Sequence, residues 1–183
     1  MRLIAPLTAL LIATPALAEP PAWTVVPASS KITFGGTHAG TAFTGSFGQW
    51  NAAIRFDPAD LAHSRANVVI ATGTGKTGDS FRDTALGQAE WFDPAHFPRA
   101  TFVTRSITAA GPGRYVADGM LTIKGKAQPV KLPFTLRING TTAVMAGSTT
   151  IDRLAFDMGA KSDPSAQWVS RPITLNLNVT ARR

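Results

Sequence analysis

The segment from Gly119 to Ile138 alternates hydrophobic and polar residues over two runs that are separated by a turn at residues 125–128. The first apolar phase contains Gly119, Leu121 and Ile123. After the turn, the apolar phase resumes at Val130, Leu132, Phe134, Leu136 and Ile138. Because successive strand side chains point to opposite faces, the segment predicts a β-hairpin with one apolar face. Pro133 lies on the polar phase and has no N–H to donate, so we expect a bulge or a gap in strand pairing there.

The same two-residue period recurs along most of the chain and predicts about eight strands. The other strands are expected at residues 23–26, 31–38, 41–56, 66–71, 100–107, 143–151 and 173–180. Gly48 shifts the phase within residues 41–56, which indicates a bulge where the sheet bends. Residues 79–91 form the one predicted helix, with Asp79 or Ser80 as its N-cap. Closure into a barrel removes free strand edges, so we expect an all-β, closed eight-stranded antiparallel barrel, with a two-sheet sandwich as the alternative.

The start of the chain has the pattern of a cleavable signal peptide. Residues 1–18 combine an early arginine, an apolar run over residues 3–11 and the small-residue pattern Ala16-Leu-Ala18. The apolar run is too short to span a bilayer. We therefore expect export, with a mature single domain over residues 19–183. Cysteine is absent, which excludes disulfides, thiol nucleophiles and cysteine metal sites.

The mature chain is basic, because removal of the arginine in the signal peptide leaves 17 basic against 11 acidic residues, a net charge of +6. Several basic residues lie on outward strand phases, namely Lys31, Arg55, Arg105, Lys124, Lys131 and Arg137. We favour a solvated barrel exterior as their role, and weak attraction to anionic lipid headgroups is the alternative. Their scattered placement lacks the basic, aromatic-interleaved cluster that is typical of nucleic-acid binding.

Several motifs resemble catalytic or cofactor-binding sequences but lack the required context. Residues 73–78 match G-x-G-x-x-G, yet a P-loop needs glycine where Ile70 stands, and a dinucleotide fold needs parallel βαβ units. His38, His63 and His96 fit no zinc spacing. No serine has the context of an activated nucleophile. The sequence therefore predicts a protein that is not an enzyme and that uses no metal or cofactor.

The volume inside such a barrel decides whether it is a filled core or a container for one small ligand. Gly36, Gly45, Gly119 and Gly147 occupy the apolar phases of four strands beside larger residues. They either leave space for a ligand or only ease the coiling of the wall, and the pattern leaves both interpretations open. A cavity with these walls would select an apolar chain, because each buried CH₂ contributes ~0.8 kcal/mol.

The chain also resembles the YceI-like family through motifs that occur in order along nearly the whole mature sequence. These are Trp23, Ser30-Lys-Ile-Thr-Phe34, His38-Ala-Gly40, Phe43-Thr-Gly-Ser-Phe47, Arg82-Asp83, Trp91-Phe-Asp-Pro-Ala-His-Phe-Pro98, Ala100-Thr-Phe102, Gly119-Met-Leu-Thr-Ile-Lys-Gly125, Ile151-Asp-Arg153 and Trp168. The resemblance implies a lipocalin-like barrel in the bacterial periplasm that holds a polyisoprenoid, an isoprenoid quinone or a fatty amphiphile without catalysis. Two sites depart from the family pattern: Asp83-Thr-Ala-Leu86 replaces Asp-x-His-Leu, and Phe156-Asp157 replaces Phe-Gly.

The site residues that we predict fall into three groups. The apolar tail of the ligand would contact a cavity lining made of Phe34, Phe43, Phe47, Phe102, Gly119, Leu121, Ile123, Leu132, Phe134, Leu136, Leu175 and Leu177. The mouth of the cavity would be closed by Phe81, Leu86, Trp91, Phe92 and Trp168. Arg82, Asp83 and Arg153 would either contact a headgroup or bridge loops, and we favour loop bridging.

The leading functional hypothesis is periplasmic transport or storage of an amphiphilic lipid. The alternative is a ligand-free stress or interaction protein with a filled barrel. Transient contact with an anionic membrane surface is one option, and no nucleic-acid partner is expected. The sequence leaves the oligomeric state open, with a homodimer as one option.

Overall fold

The computed structural model describes residues 19–183, so the predicted signal peptide lies outside the described part of the chain. One antiparallel sheet contains β1 (Ala22–Val25), β2 (Lys31–His38), β3 (Thr41–Phe47), β4 (Trp50–Arg55), β5 (Arg65–Ala71), β6 (Gly75–Lys76), β7 (Arg99–Ala109), β8 (Arg114–Ile123), β9 (Lys126–Asn139), β10 (Thr142–Asp152) and β11 (Pro172–Arg182). The helical elements are the helix α1 (Ser80–Leu86) and 3₁₀ turns at Pro27–Ser29, Thr72–Thr74 and Arg153–Phe156. Within residues 19–183, none of these helices has the length and hydropathy needed to cross a membrane.

The sheet closes into a barrel because β1 pairs with two neighbours. Trp23 of β1 pairs with Ile54 of β4, and Thr24 of β1 pairs with Arg182 of β11. The closed order is therefore β1-β4-β5-β7-β8-β9-β10-β11. This arrangement confirms the predicted eight-stranded antiparallel barrel and replaces the sandwich alternative.

Three of the eight barrel strands are each built from two segments. A 3₁₀ turn that begins at Pro27 separates β1 from β2, and both segments pair with β11. A break at Gly48 separates β3 from β4, which confirms the predicted bend. A turn at residues 72–74 separates β5 from β6, and β6 pairs with β3. The segments β2, β3 and β6 extend the wall at the end of the barrel that also bears α1 and the connection between β10 and β11. We call this end the mouth and the opposite end the base.

The helix α1 is shorter than the predicted span of 79–91. Asp79 is the N-cap, as expected, and its side chain accepts a hydrogen bond from a backbone N–H of the first turn. The helix ends at Leu86 because Gly87, a poor helix former, follows it. Trp91 therefore lies on an irregular loop that folds over the barrel mouth, and not on the helix.

The inward-facing residues form two hydrophobic clusters along the barrel axis. The cluster near the mouth contains Phe34, Phe47 and Phe92, whose ring centroids lie 5.1 to 6.4 Å apart. The cluster near the base contains Trp23 and Phe56, and the indole Nε1 of Trp23 donates a buried 2.9 Å hydrogen bond to the carbonyl oxygen of Phe56. Aromatic side chains thus fill both ends of the barrel interior.

Candidate binding cavity

A cavity of about 230 Å³ lies inside the barrel, and all eight barrel strands contribute to its wall. One water molecule needs roughly 10–15 Å³ of such space, so the cavity is much larger than a packing defect. Its lining is hydrocarbon and aromatic apart from Arg65, Thr104, Thr149 and Arg153. A polar solute would lose hydration in this space without compensation, so the wall selects an apolar ligand.

Eleven of the twelve predicted lining residues do line this cavity. They are Phe34, Phe43, Phe47, Phe102, Leu121, Ile123, Leu132, Phe134, Leu136, Leu175 and Leu177. Sequence reasoning missed further lining residues, among them Ile32, Trp50, Ala52, Ile70 and Met145. These residues lie on the same inward-facing phases as the predicted ones. Applying the two-residue alternation to every predicted strand would therefore have identified them.

Gly119 faces the interior but opens no space in the cavity. A Cβ atom on Gly119 would lie 2.6 Å from the ring of Phe102 and 2.6 Å from the carbonyl oxygen of Val103. The ring of Phe34 covers Gly45 in the same way. Gly119 is therefore not a lining residue, and the structure does not support the interpretation in which it leaves space for a ligand. These glycines instead leave room for aromatic rings from neighbouring strands to pack over the backbone.

The predicted mouth residues divide into two groups. Leu86, Trp91 and Phe92 line the cavity. Phe81 and Trp168 do not line it, because their side chains are 73% and 63% exposed to solvent. Phe81 projects from the outer face of α1, and Trp168 lies on the connection between β10 and β11. The prediction that these two residues close the cavity is therefore wrong, and they form part of the outer rim.

Arg153 is a buried anchor for the connection between β10 and β11. Its side chain is 1% exposed, and its Nη2 forms a 2.7 Å salt bridge with Asp163 Oδ2. Its Nη1 donates to the carbonyl oxygen of Met158 at 2.6 Å, and its Nη2 donates to that of Val169 at 2.9 Å. Burial lowers the pKa of Arg153, while the charge of Asp163 opposes this effect. Because its guanidinium donors are engaged by the protein, Arg153 bridges loops.

Asp83 has a similar anchoring role. Its Oδ1 accepts hydrogen bonds from the backbone N–H of Thr77 at 2.6 Å and from the Thr77 hydroxyl at 2.8 Å. The backbone hydrogen bond from Thr77 lowers the pKa of Asp83, so the carboxylate stays ionised at neutral pH. These contacts tie α1 to the segment before it, which again favours the loop-bridging interpretation.

Arg82 differs from the other two residues because it keeps an unused donor. Its Nη2 lies 3.5 Å from Asp79 Oδ2, and its guanidinium carbon lies 6.0 Å from the centre of the Phe43 ring. Its Nε is buried and has no hydrogen-bond partner among residues 19–183. A buried donor without a partner is costly. Arg82 is not among the residues that line the cavity, so its contact with a headgroup stays a prediction.

One departure from the family pattern has a local explanation. Asp157 follows the 3₁₀ turn at Arg153–Phe156 and has a left-handed backbone, with φ of 55°. Glycine adopts this conformation freely, and aspartate is one of the few other residues that tolerate it. The Asp157 carboxylate also lies 3.1 Å from Lys126 Nζ. Aspartate therefore preserves the turn that the usual Phe-Gly pair would form.

The fold and the cavity define a class of protein, the closed eight-stranded antiparallel β-barrels with an apolar cavity inside. The model of the YceI-like domain matches residues 23–181, so the chain belongs to the YceI-like family. The UPF0312 protein of Pseudomonas syringae pv. tomato is 28% identical over 152 residues, which cover 79% of this chain and 75% of that protein. A UPF0312 protein of Yersinia enterocolitica is 32% identical over 129 residues, which cover 65% and 67% of the two chains.

Two solved structures are similar to the whole barrel. BcnA of Burkholderia cenocepacia has a TM-score of 0.82 and 31% identity, and the match covers 85% of this chain and 98% of BcnA. A polyisoprenoid binding domain from Saccharophagus degradans has a TM-score of 0.68 and 14% identity, with 88% and 98% of the two chains covered. At that identity the second comparison shows a shared fold.

Proposed function

We propose that the protein holds an amphiphilic lipid with a long apolar tail, an isoprenoid chain in the first instance, inside the barrel and catalyses no reaction on it. The observation that supports this most directly is the hydrocarbon wall of the 230 Å³ cavity. The description of the Saccharophagus degradans domain as polyisoprenoid binding gives the tail chemistry that we test first. An isoprenoid quinone or a fatty amphiphile presents the same kind of tail to this wall.

The energetics favour a tail of several isoprene units. Each five-carbon unit contributes roughly 3–4 kcal/mol on burial, before ordering costs are subtracted. The cavity of about 230 Å³ is smaller than the roughly 300–1,000 Å³ that is usual for sites of drug-sized ligands. A longer tail must therefore displace aromatic side chains or extend out of the barrel.

The headgroup and the cellular location belong to the same proposal. The unused Nε donor of Arg82 would bind a headgroup oxygen at the mouth. The signal-peptide pattern in residues 1–18 supports a periplasmic location, where the protein would transport or store the lipid. Contact with a membrane would then be transient and would serve the transfer of the ligand.

Native mass spectrometry of the protein, purified from the periplasm of its source bacterium, tests this function. We expect a mass above that of the mature chain, and we expect extraction with organic solvent to remove the excess and release a lipid. A chain that arrives empty, and stays empty when it is offered isoprenoid quinones, would refute the lipid-binding function.

A ligand-free interaction protein is the second candidate. The rings of Phe34 and Phe102 fill the space over Gly45 and Gly119, as they would in a barrel that serves only as a packed core. In that case the exterior of the barrel would bind the partner. The same mass measurement distinguishes the two candidates, because a packed core would release no lipid.

A further inference from the structure

The pairing of β9 with β10 stops halfway along the barrel wall. The ladder runs from the turn at the base as far as the pair formed by Phe134 and Gly147, and in the described chain it continues no further. Nearer the mouth, residues 126–133 still pair with β8, and residues 148–152 still pair with β11. We call the unpaired boundary between residues 126–133 and 148–152 the seam.

Side chains provide the hydrogen bonds that bridge the seam. Thr149 Oγ1 donates to the carbonyl oxygen of Lys131 at 2.9 Å. Gln128 Nε2 donates to the carbonyl oxygen of Ala155, just beyond the end of β10, at 3.0 Å. A seam held by side chains opens more easily than a continuous backbone ladder.

Two prolines explain why the ladder stops. Asn139 and Thr142 are paired across a two-residue turn, so every second residue counted back from Asn139 directs its N–H and C=O towards β10. Pro133 and Pro129 occupy two of these positions and have no N–H to donate. The gap that the sequence predicted beside Pro133 is thus confirmed, and the missing donors face β10.

The end of the seam nearest the base lies between the cavity and a groove on the outer surface. The cavity lining includes residues on both sides of the seam, namely Val130, Leu132, Thr149 and Ile151. On the outside, Pro133, Gly147 and Ser148 line a concave groove of about 600 Å³. Phe134 lines both the cavity and the groove, so this residue lies between the two spaces.

We propose that the seam is a lateral portal through which the apolar tail of an amphiphile enters and leaves the barrel. This inference rests on the proposed lipid-binding function and adds the route to it. The seam gives any length of tail that the cavity does not hold a path into the outer groove.

Residue-resolved hydrogen exchange of the ligand-free protein tests the seam itself. On β10, every second residue from Thr142 directs its amide towards β9. Val144 and Ala146 therefore face the intact ladder, whereas Ser148 and Thr150 face the seam. We expect the amides of Ser148 and Thr150 to exchange roughly a hundredfold faster than those of Val144 and Ala146. Equal protection of the two pairs would overturn the proposal.

A double variant tests the passage of the ligand. Pro129→Thr with Pro133→Thr restores two backbone donors, and each restored hydrogen bond should slow opening by roughly two- to tenfold. We expect an isoprenoid quinone to load and leave about tenfold more slowly, with little change in equilibrium affinity. Quenching of the cavity-lining Trp50 and Trp91 reports both rates. The matched control, Pro112→Thr in an exposed turn, should exchange the quinone at the wild-type rate.

These experiments distinguish a failure of the portal proposal from a failure of the proposed lipid-binding function. Unchanged rates in a double variant whose seam amides have become protected would overturn the portal and leave lipid binding intact. Failure of the wild-type protein to bind any quinone would overturn the proposed function, and the portal with it. If the double variant does not fold, the exchange pattern of the wild-type protein still decides whether the seam opens.

Discussion

Replacing Ala52 with leucine should fill part of the cavity without disturbing the barrel. Ala52 lines the cavity from β4, and the adjacent Ala53 faces solvent on the same strand. Leucine adds three carbons to the alanine side chain. At ~0.8 kcal/mol per buried carbon, displacing an equal length of ligand tail costs about 2.4 kcal/mol. This loss corresponds to about fiftyfold weaker binding.

Tryptophan fluorescence provides the assay, because Trp50 and Trp91 line the cavity. Titration with an isoprenoid quinone should give a dissociation constant about fifty times larger for Ala52→Leu than for the wild-type protein. Urea unfolding should show unchanged or slightly higher stability, because the new side chain fills an existing space. A barrel whose core is already packed would instead lose ~1–3 kcal/mol from overpacking.

Ala53→Leu is the matched control, since it adds the same three carbons to the outer face of β4. It should bind the quinone with wild-type affinity. If Ala52→Leu and Ala53→Leu bind the quinone equally tightly, the ligand does not occupy the cavity. The inference that the apolar cavity wall binds the tail is then refuted.

Three further predictions concern stability and the headgroup. Gly119→Leu should lower the free energy of unfolding in urea by ~1–3 kcal/mol, because the ring of Phe102 occupies the space; unchanged stability would contradict this packing. Arg82→Gln should weaken binding of an amphiphile but not of an isoprenoid hydrocarbon without a headgroup, and an equal loss for both would exclude a headgroup contact. Burial raises the pKa of Asp163, but backbone N–H groups and Arg153 lower it more, so the net pKa lies below its ordinary value of 3.8. The stability that this carboxylate provides is present above the ordinary pKa and is lost as the pH falls through the lower folded value. Asp163→Asn should therefore melt at a lower temperature at neutral pH and lose less stability on acidification below about pH 4; an acid profile identical to that of the wild-type protein would contradict this.

The alternating pattern predicted the barrel and most of the cavity lining for one physical reason. A strand in a closed barrel has one inward face, so a residue such as Leu132 or Leu175 can be placed from its phase alone. Phe81 and Trp168 lie on a helix and a loop, where no two-residue period indicates the inward side. Gly119 was misjudged because the ring that covers it belongs to a neighbouring strand, and the sequence does not show the register between strands.

Register also explains why the full seam could not be predicted. The turn between β8 and β9 contains two residues, Lys124 and Gly125, both with positive φ, and is tighter than the predicted turn at 125–128. β9 therefore begins at Lys126, and Pro129 lies within the strand. Only because β9 extends as far as Lys126 do both prolines lie within the strand, whereas the sequence alone indicated a gap at Pro133.

The choice between the mouth and the seam as the route for a lipid tail follows from the contacts that each route must break. At the mouth, Phe92 packs edge to face against Phe34 and Phe47, and the Trp91 ring lies 5.6 Å from the Arg153 guanidinium. Exposing each buried aromatic ring costs roughly 1.5–3 kcal/mol, and each aromatic pair adds ~0.5–1.5 kcal/mol. The seam is bridged by two side-chain hydrogen bonds with a net value of ~1 kcal/mol each. Opening the seam breaks no backbone hydrogen bond between β9 and β10 and leaves the aromatic cluster at the mouth in place, which favours the seam as the route for the tail.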